Sequence, residues 1–176
     1  MEHHKERIFK PASVALITVS DTRSLATDKS GDLIEGRLRE AGHKLVFRTI
    51  IKDDMHTIRA TVVQRLEARD CTFIILTGGT GLAARDVTPE AITPLMTKHI
   101  PGFGEMFRYL SYEDIGMATI QSRADAGLCG HAVVFALPGS TGACTLAMDK
   151  IILPQIDNRQ KPCNFRTIVT DVETAS

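Results

Sequence analysis

The sequence predicts a single-domain three-layer α/β/α sandwich built around a mostly parallel sheet. Three observations predict it: three continuous apolar runs, a cluster of small or polar residues at the end of each, and helix-length amphipathic segments between them. An unbroken aliphatic run suits a strand buried on both faces, as in a parallel sheet covered by helices. Alternating such strands with amphipathic helices gives right-handed β-α-β units within one sheet. A chain of 176 residues is long enough to bury a full core in one such domain.

The first run, Val14-Ala15-Leu16-Ile17-Thr18-Val19, ends in Ser20-Asp21-Thr22. A helix is expected over residues 31–41, a weaker strand over 44–51 and a second helix over 57–69. The second run, Phe73-Ile74-Ile75-Leu76-Thr77, ends in Gly78-Gly79-Thr80-Gly81. A third helix is expected over 89–98, with Thr88 as its N-cap and Pro89 as its first residue. Residues 100–125 read as an insertion beside the sheet with a helix-like stretch at 105–111, whose Phe and Met residues suit either core or a subunit contact. The third run, Ala132-Val133-Val134-Phe135-Ala136-Leu137, leads through Pro138-Gly139-Ser140-Thr141-Gly142 into a helix over 141–152. From 159 onward a surface tail is expected, frayed at its polar tip. This divides the chain into an N-terminal extension (1–12), the domain proper (13–165) and a C-terminal tail (166–176).

Composition narrows the function classes. Lys plus Arg number 21 and Asp plus Glu 21, and no basic run stands out, which argues against a nucleic-acid partner. No apolar stretch reaches the roughly 18–20 residues that span a bilayer. The charged start and the short apolar run behind it lack the pattern of a secretory signal. Cys71, Cys129, Cys144 and Cys163 form no C-x-x-C pair and read as reduced thiols, so the cytoplasm is the expected compartment. A neutral balance gives little colloidal repulsion, which suits a surface partly covered by subunit contacts.

In an open parallel sheet, ligands bind beyond the carboxyl ends of the strands, so the three clusters should converge on one crevice. Gly78, Gly79, Thr80 and Gly81 offer amides that approach an anion closely; alone, the cluster is also readable as a tight turn. Pro138, Gly139 and Ser140 open a helix, where amides and the helix dipole favour an anion and Ser140 serves as donor or as cap. Ser20 and Asp21 cap, turn or meet a polar ligand. Arg123, after Ser122, is a candidate phosphate partner because a guanidinium grips two oxygens at once. Of Asp53 and Asp54, one is expected to cap the next helix, and paired acids at a strand end suit Mg2+. Asp86 follows the glycine loop, where an acid beside a phosphate loop calls for a cation between them; alternatively it pairs with Arg85 or another base. Gly79-Thr80-Gly81-Leu82-Ala83-Ala84 fits a relaxed dinucleotide pattern, but after a middle strand rather than the first. No Walker A lysine, G-x-S-x-G elbow or metal-binding His spacing is present.

Taken in order, several motifs resemble the MoaB/MogA family of molybdenum cofactor biosynthesis proteins. They are Thr18-Val19-Ser20-Asp21 with Ser30-Gly31-Asp32, Leu76-Thr77-Gly78-Gly79-Thr80-Gly81, Arg85-Asp86-Val87-Thr88-Pro89-Glu90-Ala91, Pro101-Gly102-Phe103-Gly104-Glu105, Gln121-Ser122-Arg123-Ala124 and Leu137-Pro138-Gly139-Ser140. Leu110-Ser111-Tyr112-Glu113-Asp114-Ile115-Gly116 and Lys161-Pro162-Cys163-Asn164-Phe165 look like the bacterial MoaB branch. The resemblance implies a molybdopterin-binding α/β fold that assembles as a trimer or as a hexamer of two trimers. It implies transfer of AMP from ATP to the molybdopterin phosphate with Mg2+, pyrophosphate leaving. The family's two acids fall on Asp53 and Asp86, which would hold the metal, while Ser20, Asp21, Gly78, Gly79, Thr80, Gly81, Ser122, Arg123, Pro138, Gly139 and Ser140 would line the pterin and phosphate pocket. Some MoaB proteins lack one acid of the pair and the transferase activity; both acids are present in this sequence. The alternative is a protein of the same pathway that binds molybdopterin or a precursor without chemistry and hands it to other cofactor-biosynthesis enzymes.

Overall fold

A computed structural model describes the backbone of residues 7–174 and the side chains of residues 7–169. One six-stranded sheet runs β2-β1-β3-β6-β5-β4. Its parallel part comprises β1 (Ser13–Val19), β2 (Lys44–Ile51), β3 (Phe73–Thr77) and β6 (Ala132–Leu137). These are the three apolar runs and the weaker strand expected from sequence. Helix α1 (Lys29–Glu40) links β1 to β2, and α2 (Met55–Ala68) links β2 to β3.

Alternate strand residues feed two cores, as the period of a strand dictates. Leu16, Phe73, Ile75, Val133 and Phe135 face α1 and the helical stretches after residues 100, 140 and 164, whereas Ile17, Ile74, Leu76 and Val134 face α2 and the short helix after β3. All of these strand residues are fully buried, which confirms the three-layer sandwich.

The remaining elements depart from expectation in informative ways. The helix expected over 89–98 is a short α3 (Thr88–Ile92) and a 3-10 turn, ended by Thr93-Pro94 and followed by a two-residue strand, β4 (Lys98–His99). Thr88 is the first residue of α3 rather than its cap, and its hydroxyl donates to the Gly78 carbonyl at 2.9 Å. The stretch expected to lie beside the sheet joins it: α4 (Pro101–Ile115) and a 3-10 segment (Gly116–Gln121) lead into β5 (Asp125–Cys129), antiparallel to β6. The helix expected over 141–152 is α5 (Thr141–Ala147), then a π-helical turn (Met148–Ile152) and α6 (Leu153–Ile156). That turn lies just ahead of Pro154, which has no amide to continue the α-helical ladder. The tail forms α7 (Phe165–Thr174), anchored by buried Val169 and by Phe165 against Phe135 at 5.9 Å between ring centroids. The polar end expected to fray is helical as far as Thr174; residues 175–176 lie outside the described residues, as do residues 1–6 of the N-terminal extension. Among the described residues no helix is long and apolar enough to cross a membrane.

Candidate functional site

From β1 the chain moves outward to β2, and from β3 it moves the other way to β6, so the strand order reverses between β1 and β3. At such a reversal the flanking loops part and leave a crevice. The loops after β1, β2, β3 and β6 meet there. Antiparallel β5 starts at that same edge, because Asp125 pairs with Ala136, and so brings Ser122 and Arg123 to it.

Gly78 and Gly79 hold φ of +105° and +64°. A Cβ on Gly78 would collide with the Val19 carbonyl, and one on Gly79 would lie 2.7 and 2.8 Å from the two carboxylate oxygens of Asp53. Glycine is required at both positions. Around them, five carbonyls are tied back into the protein. Gly78 O accepts from the Thr88 hydroxyl, Gly79 O from the Thr88 amide at 2.9 Å and Thr80 O from Arg123 Nε at 3.2 Å. Pro138 O accepts from the Thr77 hydroxyl at 3.1 Å and Gly139 O from the Ser30 hydroxyl at 2.8 Å. In a trans peptide the N–H points opposite to its carbonyl. The amides of Gly79, Thr80, Gly81, Gly139 and Ser140 are therefore turned away from those anchors, and none has an acceptor among the described residues. Five such donors around one crevice form a candidate anion cradle. Ser140 also caps α5, its hydroxyl accepting from the Ala143 amide at 3.3 Å.

Two cavities share the Gly78–Gly139 ridge. One, of about 450 Å3, is floored by Gly78, Gly79, Thr80, Gly81, Pro138, Gly139 and Ser140 and walled by Phe107, Ile115, Ala118 and Ser122. The other, of about 340 Å3, is polar and lined by Thr18, Ser20, Arg23, Ser30 and Thr77. The wall from α4 and the hydroxyls of Ser30 and Thr77 were not singled out from sequence. Ser30 and Thr77 lie within the motifs quoted above, but nothing in those motifs says that their hydroxyls face a cavity, and Phe107 looks like any core residue until its helix is placed.

The acids gather in a third cleft of about 180 Å3, formed by Asp21, Asp53, Asp86, Arg85, Ser20 and Gly79. Asp21 accepts from the Asp53 amide at 3.2 Å, and Asp53 accepts from the Val87 amide at 3.4 Å. Asp86 accepts from the Ala83 amide at 3.0 Å and lines both this cleft and the larger cavity. Burial pushes the Asp53 carboxyl above its ordinary pKa; Asp86 and Asp21 add to this, opposed by the Val87 amide and Arg85. Asp54 turns away to cap α2 through the Thr57 amide at 2.8 Å. Of the adjacent pair, Asp53 is therefore the one that faces the crevice.

Arg123 stands apart from the other candidates. Its guanidinium donates to the carbonyls of Thr80 and Asp86 and pairs with Glu90. It lines a separate cavity of about 300 Å3 with His99, Pro101 and Arg108, not the three that make up the crevice.

Donor chemistry in the acid cleft is all oxygen. Among the described residues no three His, Cys, Asp or Glu side chains converge to enclose a metal by themselves. Two carboxylates beside unpaired backbone amides suit Mg2+, which takes one or two acids and completes its shell with water and substrate phosphates.

Comparison with known proteins identifies the family. A family model described as "Probable molybdopterin binding domain" matches residues 15–158. The chain is 45% identical over 157 residues to Molybdenum cofactor biosynthesis protein B of Escherichia coli (strain K12), covering 89% of this chain and 92% of that one. It is 48% identical over 157 residues to the protein of the same name from Bacillus subtilis (strain 168), with the same coverage. A crystal structure of Molybdenum cofactor biosynthesis protein B superposes with a TM-score of 0.86 at 42% identity, covering 96% of this chain and 99% of that one. The chain belongs to the MoaB/MogA family of molybdenum cofactor biosynthesis proteins, on its bacterial MoaB side.

Proposed function

We propose that the crevice binds molybdopterin and transfers AMP to it from ATP with Mg2+. The observation that carries this reading is the cradle of five unpaired amides next to Asp53 and Asp86. The amides take phosphate oxygens, and the apolar wall of Phe107, Ile115 and Ala118 gives a flat surface for a pterin ring. Asp53 and Asp86 would hold Mg2+, whose contribution when bound is to neutralise phosphate charge. A phosphate oxygen of the pterin attacks the α-phosphorus of ATP; the bond from that phosphorus to the pyrophosphate oxygen breaks, and pyrophosphate leaves. The chain's own part is to align the two phosphates and keep water out, since such transfers depend mainly on positioning and charge stabilisation. Incubation with ATP, Mg2+ and molybdopterin should yield AMP–pterin and pyrophosphate in equal amounts, and Asp53→Asn or Asp86→Asn should slow this by about 100-fold or more. Absence of both products would sink the transferase reading.

One observation favours a second reading, that of a binding protein without chemistry. Asp86 already serves a structural turn through the Ala83 amide, a duty it would have in a carrier too. A carrier would retain molybdopterin binding and full in vivo cofactor levels in Asp86→Asn. In either case self-association, as a trimer or hexamer, is part of the proposal, as are transfers to other enzymes of the pathway.

A further inference from the structure

We infer that Arg123, held by Glu90, is a positioning residue that sets the anion cradle and the acid Asp53 together rather than touching the bound phosphate. The inference rests on the crevice being the ligand site proposed above. The segment between Gly78 and Val87 contains no helix or strand; a local turn closes residues 83–86, with the Asp86 amide donating to the Ala83 carbonyl at 2.9 Å, and the carbonyls on either side of that turn are gripped from outside the segment. Thr88 grips Gly78 and Gly79. Arg123 grips the next two that matter, Thr80 O through Nε at 3.2 Å and Asp86 O through a terminal nitrogen at 2.8 Å.

Each grip fixes one peptide plane, and each plane presents one amide on its far side. The Thr80 plane presents the Gly81 N–H, a cradle donor. The Asp86 plane presents the Val87 N–H, which donates to Asp53 at 3.4 Å. One guanidinium thereby aligns an anion donor and an acid that come from different loops. Its remaining terminal nitrogen is engaged by Glu90, and Arg123 hydrogen bonding holds that carboxyl below the usual glutamate range. The guanidinium opens onto the 300 Å3 cavity, and Arg123 lines none of the crevice cavities. Ser122 lines both the larger crevice cavity and the outer one, so the two adjacent residues divide the work. A lysine in place of Arg123 cannot reproduce this, because an ammonium lacks the planar fork that spans three acceptors.

The test uses the full chain as parent, Arg123→Lys, Glu90→Gln and the double variant. Hydrogen exchange without ligand reports the loop, and titration with inorganic phosphate reports the cradle. Both single variants should speed exchange across residues 79–87 while leaving β3 at its parent rate, and both should weaken phosphate binding by about tenfold. The double variant should be no worse than either single one, since both remove the same brace. The Glu90→Gln result separates the two roles. Freeing a direct phosphate ligand from its competing carboxylate would tighten phosphate binding, whereas loosening a brace weakens it. Tighter binding, unchanged loop exchange, or a uniform rise in exchange over the whole chain would each overturn the inference. Should the parent fail to bind phosphate, the ligand reading of the crevice falls, and the exchange comparison alone still decides the brace.

Discussion

At the scale of single residues, the firmest local device behind the crevice is a buried carboxyl group held by three donors. Asp28 is fully buried and accepts from the Thr18 hydroxyl at 2.8 Å, the Gly31 amide at 3.0 Å and Arg48 at 3.0 Å. Two residues on, Ser30 reaches the Gly139 carbonyl and so orients one of the cradle amides. Burial by itself would lower the Arg48 pKa, but Glu35, Asp32 and Asp28 together hold it above its ordinary value. Breaking a buried ion pair strands its partner, yet Arg48 keeps Asp32 and Glu35 at 2.7 Å each. Asp28→Asn should therefore cost about 3 kcal/mol, the low end for a buried pair, as read from urea unfolding. A loss below about 1 kcal/mol would place Asp28 with exposed pairs instead. His43 supplies a pH dependence. It is buried against Phe9, its Nδ1 accepts from the Ala12 amide at 3.1 Å, and burial pushes its pKa down, with Arg166 and Arg159 adding to this against Asp157. The fold thus holds His43 neutral while the unfolded chain takes up a proton near the ordinary histidine value of about 6.5. The stability it contributes is present above that value and is lost as pH falls below it. Unfolding midpoints between about pH 7 and pH 5 should fall more steeply for the parent than for His43→Gln, and parallel slopes would refute the assignment.

At the scale of elements, α4 and β5 decide the shape of the larger cavity, and their fit hangs on one close approach. A Cβ on Gly104 would lie 2.6 Å from the Ala124 carbonyl and 2.9 Å from a guanidinium nitrogen of Arg108. Gly104→Ala should force α4 away from β5, lowering stability by about 1–3 kcal/mol in urea unfolding and weakening molybdopterin binding through displacement of the Phe107 wall. A variant of parent stability with unaltered binding would show that the helix has room to give. These are also the elements that sequence concealed. Strands β1, β3 and β6 were legible because each is an unbroken aliphatic run, and the loops after them were legible because parallel sheets bind ligands at that end. Asp125-Ala126-Gly127-Leu128-Cys129 carries no β-branched or aromatic residue; it is a strand because β6 would otherwise expose an edge, which is a tertiary demand rather than a local one. The start of α4 lies ahead of the helix-like stretch expected at 105–111 because two glycines follow Pro101, although Pro suits the first helical position and Phe103 and Phe107, one turn apart, face the core. The glycine and acid loops of the crevice could be read from spacing, but the α4 wall and the partners of these residues could not. Nothing in Ser122-Arg123 discloses that the arginine faces Thr80, Asp86 and Glu90 rather than a ligand, since reach and charge are the same in either case.

At the scale of the whole molecule, the same helix that walls the cavity on one side turns an apolar face outward on the other. Met106, Tyr109, Tyr112, Met117 and Ile120 are between 49% and 72% exposed along α4 and the 3-10 segment after it. Phe103 and Phe107, which sequence left open between core and subunit contact, are core; Met106 and the two tyrosines are the outward set. A row of five large apolar side chains is more than a lone soluble monomer ordinarily shows in one place, and tyrosine and methionine are residues that subunit interfaces favour. With no net charge to keep copies of the chain apart, the occupant that fits this face is a second copy in a closed ring, as the proposed trimer or hexamer requires. Light scattering coupled to gel filtration should give a mass three or six times the 19.3 kDa of one chain. Tyr109→Glu combined with Ile120→Glu should shift that mass to a monomer, because two carboxylates would then be buried without partners. Since the cavity wall and the outward face belong to one helix, the monomeric variant should also bind molybdopterin more weakly. A parent of monomer mass at every concentration, or a double variant that still assembles, would move the interface elsewhere on the molecule and leave α4 with the cavity as its only duty.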